Sequence, residues 1–182
     1  MSRLSQAIAE GDGISILVEV SDADAAGLAE RQGADGLVVR SGADGARAWS
    51  QLPLLHLGST AAASAASADA VVVSPDPGVW EGGRAQGLEC VVRVSRAEDL
   101  ERALDEIDPE ILLLSTELDS DDDPLEALLA LLHDVPAGKL AIAELRDATA
   151  EDVAELERAG VDAVLVMPQS VAALISVEPP DV

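Results

Sequence analysis

Three charged side chains stand at one kind of place in this sequence, near the end of an apolar run. Glu19 closes the run Ile14-Ser-Ile-Leu-Val-Glu-Val20, Arg93 lies in Leu88-Glu-Cys-Val-Val-Arg-Val94, and Glu144 lies in Lys139-Leu-Ala-Ile-Ala-Glu-Leu145. Two carboxylates beside a guanidinium can work as acid and base on a bound anion. The same three groups can instead form a buried ion-pair cluster in which Arg93 neutralises both acids, and this is the favoured reading. Arg40 and Arg146, one residue beyond apolar runs, are further candidates for holding a phosphate or carboxylate. His56, in Leu52-Pro-Leu-Leu-His-Leu57, joins them if its side chain points the same way.

What must position these groups is legible in the unit from Thr149 to Met167. Thr149 is a candidate N-cap, with Asp152 three residues on as an acidic capping-box partner. Val153 and Leu156 share a helical face, and Gly160 suits the left-handed position beyond the helix end. Val161 to Met167 then reads as a parallel strand covered on both faces. The order Ser-x-x-acid, helix, glycine, small-Asp-small, apolar strand recurs from Ser21 to Arg40, so the chain is internally repetitive.

Further strands are expected over Leu52–Leu57, Ala70–Ser74, Leu88–Val94, Glu110–Ser115 and Lys139–Leu145. Helices are expected from Ser21 to Gly33, over Thr60–Ala68, after a Ser95/Glu98 capping box, and from Asp123-Pro124 to about His133. Ala46 to Ser50 can make one helical turn, Pro75 to Gly87 reads as a turn-rich connection without a strong helix, and Ser170 to Ile175 can close with a short one. Eight strands separated by crossovers predict one α/β domain over residues 1–182, a compact (β/α)8 barrel with some helices shortened. Residues 1–13 are a lead-in and 176–182 a tail. An open doubly wound sheet is the alternative, but Val20-Ser-Asp-Ala-Asp lacks the glycine-rich dinucleotide turn. In a barrel, alternate strands feed one interior level, so Glu19, Arg93 and Glu144 can meet at the mouth.

Composition narrows the partners. The 182 residues carry 35 acidic and 11 basic side chains, a net charge of −24, which disfavours nucleic acid and anionic membrane. Phe and Tyr are absent and there are two Trp, so base-stacking platforms are not expected. Cys90 is alone, which excludes a disulfide framework and a multi-cysteine metal site. The start lacks an apolar signal core, and a cytoplasmic protein without a membrane span is expected. No cofactor and no metal are expected, and nothing in the pattern speaks to oligomeric state or a protein partner.

Arg93-Val-Ser-Arg-Ala-Glu-Asp-Leu-Glu-Arg-Ala-Leu104, Ala148-Thr-Ala-Glu-Asp-Val153 and Ala159-Gly-Val-Asp-Ala-Val-Leu-Val166 resemble indole-3-glycerol-phosphate synthase. That family is a (β/α)8 barrel of tryptophan biosynthesis. The resemblance is best from the fifth strand onward, with weaker echoes at Glu19-Val20, Gly33-Ala-Asp35 and Leu52-Pro-Leu-Leu55. It implies a carbon–carbon lyase acting on a small phosphorylated metabolite, with Glu19 and Glu144 at acid positions of the family. The departures are specific. Ser21 stands at the first-strand lysine, Leu57-Gly58 at the third-strand lysine-aspartate pair, Arg93 at the fifth-strand glutamate, and Leu114-Ser115 near the sixth-strand asparagines. Ala143-Glu-Leu-Arg146 replaces Ser-Glu-Ser-Gly, and Met167 replaces the phosphate-approaching glycine. The family's chemistry looks to a lysine general acid, and the one lysine here, Lys139, precedes the seventh strand, at the end away from the mouth. The expectation is a shortened, degenerate barrel of this kind without the lyase activity, serving as a scaffold or in an interaction. The alternative is an enzyme on a small phosphorylated metabolite, with Arg93, Arg146, Arg40 and His56 around the anion.

Other constellations are weaker. Asp119-Ser-Asp-Asp-Asp123 lacks the offsets of a calcium loop and reads as a solvated loop favouring the next helix. Ser41-Gly-Ala-Asp-Gly45 is a lone glycine loop, His133 a helix-end residue, and Cys90 a core or rim group.

Overall fold

The structure is a computed structural model that describes residues 4–11, 13–40, 45–116, 123–168, 171 and 174. Its strands are β1 (Ser15–Glu19), β2 (Gly36–Val39), β3 (Leu54–His56), β4 (Ala70–Val73), β5 (Glu89–Val94), β6 (Ile111–Leu114), β7 (Leu140–Glu144) and β8 (Ala163–Val166). Each pairs parallel with the next, and β8 pairs with β1, so the sheet closes as a barrel. Around it run α1 (Leu4–Ala9), α2 (Ala23–Arg31), α3 (Thr60–Ala65), α4 (Pro77–Ala85), α5 (Ala97–Glu106), α6 (Pro124–His133) and α7 (Ala150–Ala159), with a 3-10 turn at Ala46–Ala48. The (β/α)8 barrel expected from the repeat is the fold.

Register explains how the mouth is built. From Glu19 the pairing runs through Val38, Leu55 and Ala70 to Glu89. Four residues further along β5, Arg93 leads through Leu113, Ile142 and Ala163 to Ser15, four residues short of Glu19. Four and four make a stagger of eight, the value usual for eight strands. With one residue of stagger per strand, inward side chains of alternate strands share a level. Leu17, Leu55, Val91 and Ile142 form one such level, and Val38, Val72, Leu113 and Leu165 the next. Glu19, Leu57, Arg93 and Glu144 stand above them.

The lower end is shut by α1, whose Leu4 and Ile8 are buried with the interior side chains. The Ser5 amide and hydroxyl both donate to the Glu89 carboxylate. Lys139 lies at this lower end too, with Nζ on Asp108.

The small-Asp-small motif has a physical purpose. Asp35, just before β2, accepts from the Ile16 amide of β1 at 2.8 Å. Asp69 before β4 accepts from Leu54 of β3 at 2.8 Å, and Asp162 before β8 from Ala141 of β7 at 2.7 Å. Each carboxylate satisfies an amide at the start of the preceding strand, which ties the two strands of one βαβ unit together below the helix. In the β5–β6 unit Asp108 holds Lys139 instead.

Several local expectations shift. Residues 77–85 are helical: Asp76 accepts from the Val79 amide and Pro77 occupies the first turn. The glycines that argued against a helix there include Gly83, where a methyl group would stand 2.6 Å from Cys90 Sγ, so close packing onto β5 outweighs propensity. The α2 cap is Asp22, one residue after Ser21, accepting from the Ala25 amide. The α5 cap is Arg96 without a side-chain cap bond, so the Ser95/Glu98 capping box does not form. Thr149 and Asp152 do form theirs, and Gly160 ends α7 at φ 95°. Residues 41–44, 119–122, 169, 170, 172, 173 and 175–182 lie outside the described residues, and with them most of the glycine loop, of the aspartate run and of the expected closing helix.

Candidate functional site

At the mouth two carboxylates meet three guanidinium groups. Arg40 grips Glu19 with two prongs, Nε to Oε1 at 2.6 Å and Nη2 to Oε2 at 3.1 Å. Its Nη2 is also 3.6 Å from Glu144 Oε1. Arg93 Nη2 donates to Glu144 Oε2 at 2.8 Å. Arg146 bridges the two acids, with Nη2 3.3 Å from Glu19 Oε2 and Nε 3.8 Å from Glu144 Oε1. Hydrogen bonding to Glu19 raises the pKa of Arg40, against the opposing effect of burial, so its charge is permanent here.

The network differs from the one expected. Arg93 serves Glu144, while Glu19 is served by Arg40 and Arg146. Arg40 points inward from just beyond β2, and the Leu145-Arg146 turn after β7 swings Arg146 across the opening. Enclosure is unequal: the Glu19 and Glu144 side chains are 15% and 11% exposed, the three arginines 36–47%. The acids form a floor, and the guanidinium groups lie on it facing out.

His56 is not part of this site. Side chains alternate along β3, so Leu55 and Leu57 face the interior and His56 faces the helices. It is 1% exposed, makes no hydrogen bond through Nδ1, and its pKa is lowered by burial. The fourth member of the mouth level is Leu57.

Above the floor opens a cavity of about 1170 Å³ whose lining includes Arg40, Arg93 and Arg146, the hydroxyls of Ser95, Ser115 and Thr116, and the carboxylates of Asp99, Asp123, Asp147 and Asp152. Ser95 Oγ and Ser115 Oγ are 2.9 Å apart. A smaller recess of about 340 Å³, with Leu57, Val72 and Pro75 in its wall, shares Arg93 and Ser95 with it. Sequence reasoning missed these hydroxyls. Their signal was a serine closing each of the consecutive apolar runs Val91-Val-Arg-Val-Ser95 and Ile111-Leu-Leu-Leu-Ser115. No group of three or more His, Cys, Asp or Glu among the described residues could hold a metal ion, and none of their helices is long and apolar enough to cross a membrane.

No family model matches the chain. Over 83 residues it is 41% identical to the indole-3-glycerol phosphate synthase of Variovorax paradoxus (strain S110), a match covering 46% of this chain and 31% of that protein. The chain therefore corresponds to about a third of that relative's length. Among solved structures, thiamine phosphate pyrophosphorylase from Pyrococcus furiosus superposes with a TM-score of 0.70 at 16% identity, covering 88% of this chain and 93% of that one. N-acetylmannosamine-6-phosphate 2-epimerase from Clostridium perfringens gives 0.68 at 15%, covering 86% and 87%. A mutant tryptophan synthase alpha-subunit from Pyrococcus furiosus gives 0.69 at 12%, covering 91% and 98%. The structural likeness is one of fold.

Proposed function

We propose that this barrel binds a small phosphorylated metabolite at its mouth and does not perform the lysine-dependent lyase chemistry of indole-3-glycerol-phosphate synthase. The observation that carries this is the arginine layer: three guanidinium groups held in place by two enclosed carboxylates, with more than a third of each side chain open to a roomy cavity. Guanidinium forks already oriented suit phosphate oxygens, and little side-chain freedom remains to be lost on binding. Thr116 and the hydrogen-bonded Ser95–Ser115 hydroxyl pair line the same cavity. Phosphate compounds also figure in the names of the relative and of two of the structural neighbours.

Against lyase chemistry stands the position of the cations. Lys139 is at the opposite end of the barrel on Asp108, and Leu57 occupies the mouth level where the resemblance puts a lysine-aspartate pair. Glu19 and Glu144 each already accept from guanidinium groups, which leaves them as anchors for the arginines.

Calorimetric titration with inorganic phosphate and with indole-3-glycerol phosphate tests the binding. Heat that saturates, and that weakens when Arg93→Met or Arg146→Met is titrated, is the expected result. Absence of binding by both would return the mouth to a structural ion-pair lock and the protein to a scaffold role. Release of indole-3-glycerol phosphate from the open-chain synthase substrate would overturn the second half of the proposal.

A further inference from the structure

His56 is a buried polar side chain in β3, next to the buried Leu54 and Leu55. Its ring is folded against the backbone of Gly58, where a methyl group would come 2.6 Å from Cε1 and 2.9 Å from Nδ1. The ring is 1% exposed, and Nδ1 is buried without a partner. A buried polar atom left unpaired costs free energy, and a protonated imidazole in such a place costs more. Among the described residues, the strands and the helix next to β3 offer the cation nothing. Neither β2, β4 nor α3 contains a charged residue. Arg40, beyond β2, is committed to Glu19 in the barrel interior, and Arg47 and Asp69 pair with each other at the lower end of β3.

We propose that His56 is an acid-operated wedge: proton uptake drives its ring out from beneath the Gly58 turn and loosens the β3 edge of the mouth. Leu57 and Gly58 line the smaller recess beside Arg93, so the wedge regulates the shape of the cavity. Burial lowers the pKa of His56, which sets the opening on the acid side of an ordinary histidine. The effect on a ligand rests on the mouth being a binding site. The opening itself does not.

Amide hydrogen exchange gives the test. The Leu57 amide donates to Val39 O at 2.8 Å, and the Val20 amide to Val38 O at 2.8 Å on the far side of β2. Between about pH 7.5 and about pH 5, protection at Leu57, corrected for the intrinsic chemical rate, should fall at least roughly tenfold while Val20 keeps its protection. His56→Leu should keep Leu57 protected at both pH values, and His56→Gln supplies a second uncharged variant. Equal protection at Leu57 across this range, or the same loss in His56→Leu, overturns the wedge. Phosphate titrated in parallel separates the two ideas. Failure to bind at any pH removes the reading of the mouth, whereas binding with an unchanged Leu57 removes the wedge.

Discussion

Glu19 and Arg40 form the shortest ion pair of the mouth, a two-pronged contact across the β1–β2 seam in which the acid is 15% exposed and the base 38%. Arg93, the residue that sequence reasoning placed at the centre, reaches Glu144 with one nitrogen. The two arginines therefore differ in consequence when removed. Arg40→Met leaves Glu19 with one longer contact to Arg146 and should destabilise the fold by about 1–2 kcal/mol, a figure held down by the exposure of the pair. Arg93→Met should cost less, because Arg40 and Arg146 remain within 4 Å of Glu144. Urea unfolding of the two variants checks the order, and a larger loss for Arg93→Met would contradict the network described.

The strand-tying aspartates predict a contrast between two substitutions. Asp162→Ala leaves the Ala141 amide without its acceptor at the bottom of β7 and should cost about 1–3 kcal/mol. Asp108→Asn, which keeps a short polar side chain at a residue with φ 53°, removes the charge of an acid that is 77% exposed and should cost under about 1 kcal/mol. Denaturant midpoints at neutral pH measure both.

Gly160 ends α7 at φ 95° with open space around the position of a Cβ. Gly160→Ala therefore meets no clash and should lose about 1–2 kcal/mol from backbone conformation alone. Thr149→Ala, at the other end of the helix, removes the hydroxyl that accepts from the Asp152 amide while the residue-149 amide still donates to the Asp152 carboxylate, and should lose about 1 kcal/mol. Thermal melting of the single and double variants should show near-additive losses, since the sites are a helix length apart.

Stability should depend on pH through His56 in one direction. Its pKa is lowered in the folded chain, so below about pH 6.5 the unfolded chain takes up the proton first. The contribution of the neutral ring is complete above about pH 6.5 and is lost as pH falls toward the lower folded value. His56→Leu should flatten this limb, which is seen by subtracting its stability curve from that of the parent between about pH 5 and pH 7.5. A difference curve without slope in that interval would refute the assignment.

How far the sequence carries depends on whether a property is local. The Thr149–Met167 unit reads correctly because its cap, its apolar face, its stop glycine and its strand are all set by neighbours in the chain. The residues 77–85 mislead because Gly83 is chosen for contact with Cys90 and Val71, which only the folded barrel supplies. The meeting of Glu19, Arg93 and Glu144 at one level follows from strand alternation and an eight-residue stagger. Which arginine serves which acid does not follow, because Arg40 and Arg146 arrive from turns beyond the strand ends. The side on which His56 lies was left open, because a strand of three residues carries too few alternations for its inward face to be read from the sequence.

The helices around the barrel are unequal. Those that precede β5, β6, β7 and β8 are nine or ten residues long, while β3 is flanked by a three-residue 3-10 turn and the six-residue α3. An outer wall of such different thickness gives the molecule a strong side and a weak side. The β5–β8 half should gain protection first when the chain refolds, and the β2–β4 sector should dock last and breathe most often. Pulse-labelled hydrogen exchange would resolve this order of assembly, which sets the thin sector as the place where the barrel first comes apart.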